Sequence, residues 1–228
     1  MNHTVAILFF SRTAQAEAQA KPIVLGKTSA QKVALLTIEQ AKKTALATGL
    51  PVFHVSEKQQ CGDTFGERFA NAFEDIFAQG FENVIAVGND CLMLTSKDIL
   101  KAAEHIETTP SVFGEATDGG AYLIGLNKSV FQKNDFQNIR WQTNSTFSDL
   151  VQFIENQTFT TTFLSNKSDI DSVSDWHKTV LSVPVFLRKK LLQLLNTALP
   201  KPSVRIFLPI NDLFLSTSIA LRAPPIFA

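Results

Sequence analysis

An α/β fold with a parallel sheet covered on both faces is predicted by three features of this sequence. Short apolar runs recur along its first half, at Val5 to Phe10, Val52 to Val55 and Val84 to Val87. Longer stretches with apolar residues at helical spacing separate them. Strand after helix after strand gives a parallel sheet, and runs with little alternation are buried on both of its faces. Acidic turns then sit at the ends of apolar runs: Gly88-Asn89-Asp90-Cys91 closes the run at 84–87, and Asp118-Gly119-Gly120 opens the run Ala121 to Leu126. A carboxylate at the end of a buried strand builds little core, and the edge of an α/β sheet is where such folds take ligands.

The elements follow in order. Val5 to Phe10 reads as a buried strand. The polar, Ala- and Gln-rich segment from Ser11 to Gly26 is too long for an ordinary connection and reads as functional or partly helical. Ser29 to Thr48 is a helix with Val33, Leu36 and Ala41 on one face, stopped by Gly49-Leu50-Pro51. Val52 to Val55 is the second strand. Thr64-Phe65-Gly66-Glu67 has the spacing of a capping box, and Phe65, Phe69, Phe73, Ile76 and Phe77 recur at helical spacing until Gly80. Val84 to Val87 is the third strand. Thr95 caps the next helix, with Ile99, Leu100, Ala103 and Ile106 facing inward. Ser111 to Phe113 and Ala121 to Leu126 are short strands on either side of the glycine turn. Phe147 to Ile154 reads as a helix, Thr158 to Leu164 as a β-branched strand, and Ser174 to Leu199 as a helical stretch interrupted at Pro184. Prolines punctuate an apolar tail from Pro200 onward, so residues 1–199 are expected to form the domain and 200–228 an appendage.

Composition narrows the function classes. A chain of 228 residues, 45% apolar, can build a full core in one domain. Basic and acidic residues balance at 21 each, which gives no electrostatic case for nucleic acid or an anionic membrane. Nineteen phenylalanines against one tyrosine and two tryptophans read as core, not as a base-stacking surface. Cys61 and Cys91 form no CxxC pair and the histidines lack ligand spacing, so neither structural zinc nor a disulfide framework is expected. Met1-Asn2-His3-Thr4 has no signal-peptide character and no run is long enough to span a membrane, which makes the cytoplasm the expected address.

Several motifs carry two readings each. Gly26-Lys27-Thr28 before a helix lacks the earlier glycine of a phosphate loop, since that position is Lys21. It reads as a helix start, with Lys27 able to reach an anionic ligand. Asp90 is either a turn aspartate or a carboxylate that meets a cation carrying a nucleoside diphosphate. The glycines of Asp118-Gly119-Gly120 suit a tight hairpin turn, or the close approach of backbone to a ligand. Glu67 reads first as a capping partner. Arg68, a cation in a first helical turn, is poorly matched to the helix dipole and so invites an anionic partner. In Asp169-Ile170-Asp171, Asp171 is a cap or a metal or substrate contact.

Taken together, Thr64-Phe65-Gly66-Glu67-Arg68-Phe69-Ala70-Asn71-Ala72-Phe73, Val87-Gly88-Asn89-Asp90-Cys91, Leu94-Thr95, Phe113-Gly114, Asp118 to Leu126 and Trp141-Gln142-Thr143 resemble an uncharacterised bacterial glycosyltransferase-like family. The likeness runs from about Val5 to Val180, and the string Asp118 to Leu126 is its most specific part. It implies the nucleotide-diphospho-sugar transferase fold, GT-A-like: a Rossmann-like three-layer α/β/α sandwich with a mostly parallel mixed sheet. It also implies a nucleotide-sugar pocket over the carboxyl ends of the first strands. The chain departs from the family where no arginine follows Lys27-Thr28, and where Leu92-Met93 follow Cys91.

On that resemblance the expected activity is transfer from a nucleoside-diphosphate sugar to a small-molecule or glycan acceptor. Asp118 and Asp90 are the expected catalytic residues. Lys21, Lys27, Asn89, Glu67, Arg68, Gly119 and Gly120 are the expected nucleotide-sugar contacts. A divalent ion, Mg or Mn, is expected on Asp90 and Asp171. The alternatives are a nucleotidyltransferase acting on a phosphorylated small molecule, and a binding module of the same fold without turnover.

Overall fold

The structure, a computed structural model, describes residues 4–21, 27–168 and 188–190. The helical stretch expected from Ser174 to Leu199 lies outside the described residues except for helical residues 188–190, and the tail beyond Pro200 lies wholly outside them.

The strands are β1 (Val5–Phe10), β2 (Val52–Val55), β3 (Asn83–Val87), β4 (Ser111–Glu115), β5 (Ala121–Asn127) and β6 (Thr161–Phe163). They form one mixed sheet in the order β2-β1-β3-β5-β4-β6. β1 is parallel to β2 and β3, and β6 is parallel to β4. β5 alone runs the other way, antiparallel to both β3 and β4. The helices are α1 (Ala14–Ala20), α2 (Lys27–Leu46), α3 (Phe65–Ala78), α4 (Ser96–His105), α5 (Lys133–Gln137) and α6 (Thr146–Glu155).

The two-residue period of a strand sorts the core into two layers. Ala6 and Leu8 of β1, with Val84 and Ala86 of β3, pack on one face against Phe69, Phe73 and Ile76 of α3 and Leu150 and Phe153 of α6. Val5, Ile7 and Phe9, with Ile85 and Val87, pack on the other against Ile38 and Ala41 of α2 and Ile99 and Ala102 of α4. Both faces of each central strand are buried, which is why neither run alternates in sequence. The result is the three-layer α/β/α sandwich that the sequence predicts.

Capping chemistry fixes the helix starts as expected. At α3, the Thr64 hydroxyl accepts from the Glu67 amide while the Glu67 carboxylate accepts from the Thr64 amide. The stripe behind this cap becomes an aromatic layer, with Phe69–Phe73 at 5.1 Å, Phe73–Phe136 at 5.2 Å and Phe136–Trp141 at 4.9 Å between ring centres. Phe136 sits on α5, a five-residue helix that the sequence does not predict because one and a half turns show no period.

Other boundaries shift. α2 starts at Lys27, and its buried face centres on Val33, Ala34, Ile38 and Ala41, with Leu36 only half-buried. On α4 the inward stripe is Ile99, Ala102, Ala103 and Ile106, while Leu100 is exposed, one residue round the helix from the core. The strand expected over Thr158 to Leu164 pairs only at Thr161–Phe163, after Thr158 takes a φ of 62°.

The α4 cap makes stability pH-dependent. The Asp98 carboxylate accepts from the Thr95 amide at 2.9 Å and hydroxyl at 2.7 Å, and Lys167 lies 3.2 Å away. Burial alone would raise its pKa, but these hydrogen bonds and the Lys167 ammonium hold it below the usual carboxylate value. A depressed folded value means the contribution is complete above the unfolded pKa of about 4 and is lost as pH falls through the lower folded one. Asp98→Asn is therefore expected to cost about 1 kcal/mol near neutrality. Its melting curve should converge with that of the wild type in strong acid; curves that stay equally far apart there would contradict the assignment.

Candidate functional site

β1 and β3 are parallel, so Phe10 and Val87 end at the same edge of the sheet. β5 pairs antiparallel with β3, Val87 opposite Leu123, so the β4–β5 hairpin tip returns to that edge. A cleft of about 490 Å³ opens there, and residues of α1, the β3–α4 turn, the hairpin tip, α3 and the segment 141–146 line it.

One wall is a chain of charged and polar contacts. Lys21 caps the end of α1, and its Nζ lies 2.8 Å from Asp90 Oδ2. The Asn89 amide donates to Asp90 Oδ1 at 3.3 Å and to Glu17 Oε1 at 3.4 Å. Glu17 is only 5% exposed, and Arg12 donates to its other oxygen at 3.2 Å. A buried carboxylate needs such compensation, since an unpaired charge in the interior is costly.

Side chains from the β2 end hold the start of α1. The Thr13 hydroxyl caps α1 by accepting from the Ala16 amide, and Thr13 itself donates its amide and hydroxyl to Glu57. Burial would raise the Glu57 pKa, but the Thr13 hydrogen bonds hold it below its ordinary value. Beside it, Ser11 Oγ meets His54 Nε2 at 2.9 Å. Burial, and then Lys42, push the His54 pKa down against the pull of Glu57.

The facing wall holds Asp118. Its Oδ1 accepts from the Gly120 amide at 2.9 Å, and the Gly119 amide donates to Ala116 O at 3.1 Å. Gly119 has a φ of +87°, and a Cβ there would lie 2.1 Å from Asn144 O. Both glycines thus serve the hairpin turn. Asp118 Oδ2 makes no hydrogen bond among the described residues. The Arg68 guanidinium donates to Asp63 O at 2.9 Å and forms no ion pair among the described residues. Phe65 and Trp141, 5.7 Å apart, supply an apolar patch beside it.

Of the expected site residues, Lys21, Arg68, Asn89, Asp90, Asp118 and Gly120 line the one cleft. Three do not line it. Glu67 uses its carboxylate on the Asp63 and Thr64 amides, whose hydrogen bonds lower its pKa. Lys27 is exposed at the start of α2. Gly119 packs against Asn144. Asp171 lies outside the described residues. Arg12 and Glu17 also line the cleft and were not expected there, although Arg12 carries the signal that singles out Asp90: charge just beyond a buried strand. Trp141 joins them from a motif that assigned it no role.

Among the described residues, the donor set around Asp90 does not fit a resident divalent ion; Asp171, the other expected ligand, lies outside them. Magnesium takes hard oxygens, often one or two carboxylates with substrate phosphates. Here the Asp90 carboxylate already faces an ammonium, and the carboxylate behind it, Glu17, is buried against Arg12 and Asn89. Among the described residues no three of His, Cys, Asp or Glu converge. No helix among them is long and apolar enough to cross a membrane.

Comparison with known proteins agrees with the architecture. The crystal structure of a protein from Desulfovibrio desulfuricans G20, provisionally named a nucleotide-diphospho-sugar transferase, superposes with a TM-score of 0.76 at 20% identity, covering 86% of this chain and 98% of that one. At that identity the likeness shows the fold. Lower similarity is found to a cytidylyltransferase from Leptospira borgpetersenii (TM-score 0.45, 12% identity, 86% and 95% covered). A 4-diphosphocytidyl-2C-methyl-D-erythritol synthase from Anaerococcus prevotii DSM 20548 is similar at a TM-score of 0.44 and 10% identity, with 84% and 100% covered. No curated protein matches the sequence. Residues 15–143, more than half of the chain, match one family model. The chain belongs to the family described as "Uncharacterized protein conserved in bacteria (DUF2064)".

Proposed function

We propose that the cleft binds a nucleoside-diphosphate sugar and transfers the glycosyl group to a hydroxyl acceptor. The supporting observation is the convergence of Lys21, Arg68, Asn89, Asp90 and Asp118 on one cleft at the carboxyl ends of β1 and β3. Lys21 and Arg68 supply cations for the diphosphate. Asn89 and Asp90 hold Lys21 in place and offer oxygens to ribose or sugar hydroxyls. Phe65 and Trp141 give an apolar patch for the base or the sugar face.

In this reading the bond from the anomeric carbon to the diphosphate oxygen breaks, and the diphosphate leaves with the electron pair. The acceptor oxygen bonds to the same carbon, and its proton passes to Asp118 Oδ2. Developing charge on the leaving group meets Arg68 and Lys21, which act as fixed electrostatic stabilisers.

Arg68→Ala tests the phosphate role. Hydrogen bonds to charged groups contribute about 1.5–3 kcal/mol, so affinity for a nucleoside diphosphate should fall about tenfold or more by calorimetry. Equal affinity in variant and wild type would sink the reading. The released product separates it from nucleotidyl transfer: nucleoside diphosphate supports glycosyl transfer, whereas pyrophosphate supports the alternative.

A further inference from the structure

We infer that Lys21 is the resident cation of the Asp90 subsite, so that the cleft takes the diphosphate of its ligand without a divalent ion. The diphosphate half of this inference rests on the nucleotide-sugar reading above; the half that concerns the ion does not.

The lysine is not a loose surface side chain. Its backbone amide donates to Glu17 O at 2.8 Å, which makes it the end of α1. α1 is fixed at its start by Thr13 on Glu57, and midway by Glu17 on Arg12 and Asn89. The 2.8 Å contact with Asp90 joins two half-buried side chains, with 23% and 35% of their surface exposed. Solvent and salt screen such a pair less than a fully exposed one.

An ammonium and a divalent ion compete for the same carboxylate oxygen. Magnesium would approach Asp90 to about 2.1 Å, and it would have to expel Lys21 or accept a like charge beside it. Among the described residues, the carboxylate linked to Asp90 through Asn89 is Glu17, and it is held by Arg12. An ammonium also fills the ion's electrostatic role, because it is a compact positive charge whose several donors can bridge a carboxylate and a phosphate oxygen.

The test uses the full chain, first with Mn²⁺ alone. Wild type, Lys21→Met and Asp90→Asn are titrated calorimetrically, with Lys21→Gln held in reserve should the methionine variant fail to fold. Lys21→Met is expected to bind Mn²⁺ about tenfold or more tightly than wild type, a typical coupling between contacting charges. Combining it with Asp90→Asn should abolish that gain. Wild type binding Mn²⁺ as tightly as Lys21→Met would overturn the inference.

A second arm uses UDP and the other common nucleoside diphosphates as probes. Wild type should bind equally with EDTA or Mn²⁺, whereas Lys21→Met should bind weakly with EDTA and recover with Mn²⁺. Loss of wild-type binding in EDTA would overturn the inference. If none of these nucleotides binds, the nucleotide-sugar reading falls, and the Mn²⁺ titration still decides the role of Lys21.

Discussion

Replacing Asp118 by asparagine is expected to lower turnover about a hundredfold or more while nucleotide affinity stays nearly unchanged. On the proposed mechanism, Asp118 does two things that the substitution separates. Oδ1 accepts the Gly120 amide and so shapes the hairpin tip. An asparagine carbonyl can accept the same hydrogen bond, so the turn and the melting temperature should survive. What is lost is a carboxylate oxygen able to take a proton from the acceptor hydroxyl. A fall in kcat with unchanged affinity for the nucleotide is the expected signature. Unchanged kcat would remove Asp118 from the chemistry and leave it a turn residue. Asp118→Ala, which also deletes the turn hydrogen bond, should lose stability as well as turnover, and the difference between the two variants measures the turn.

The largest effect on stability is expected at Gly66. A Cβ there would lie 2.0 Å from the backbone oxygen of Gln137 and 2.9 Å from the Trp141 ring. Neither neighbour is a flexible side-chain end. α5 is packed against α3 through Phe136, which is fully buried, and Trp141 is tied by its indole N–H to Phe136 O at 3.0 Å. Gly66→Ala must therefore push α5 off α3 or bend the start of α3. Overpacking of this kind costs about 3 kcal/mol or more. For a chain of this size that lowers the melting temperature by roughly 6–12 °C. Because Trp141 also lines the cleft, ligand affinity should weaken in the same variant. A melting temperature equal to that of the wild type would mean that the α3–α5 contact is looser than its geometry implies.

The sheet, its two helical layers and the Thr64–Glu67 capping box were legible because each has a local signature: a buried run, a 3.6-residue period, a threonine three residues before an acid. Part of the cleft lining was legible too. Asp90 and Asp118 announced themselves as carboxylates at strand ends, and the structure brings both to one cleft. Lys27 and Glu67 look equally suitable in sequence, yet one sits exposed at a helix start and the other is consumed by its own cap. Such outcomes depend on where a side chain points after packing, and linear spacing does not carry that. The pairing of Lys21 with Asp90, across 69 positions of sequence, was likewise invisible: only the folding of α1 back onto the end of β3 creates it.

The reversal of β5 has a further consequence. In a purely parallel sheet every loop at the ligand edge is the start of a long crossover, and altering one disturbs the helix that follows. Here the segment bearing Asp118 is the tip of a hairpin closed by neighbouring strands. Such a tip is fastened sideways instead: Gly119 O accepts from the Phe147 amide at 2.9 Å, and the Thr117 amide donates to Lys167 O at 2.9 Å. On the proposed reading, the wall that meets the acceptor is therefore set by the neighbouring segment 144–147 and by Lys167, whereas the wall that meets the phosphates is set by α1, and the two can be perturbed separately.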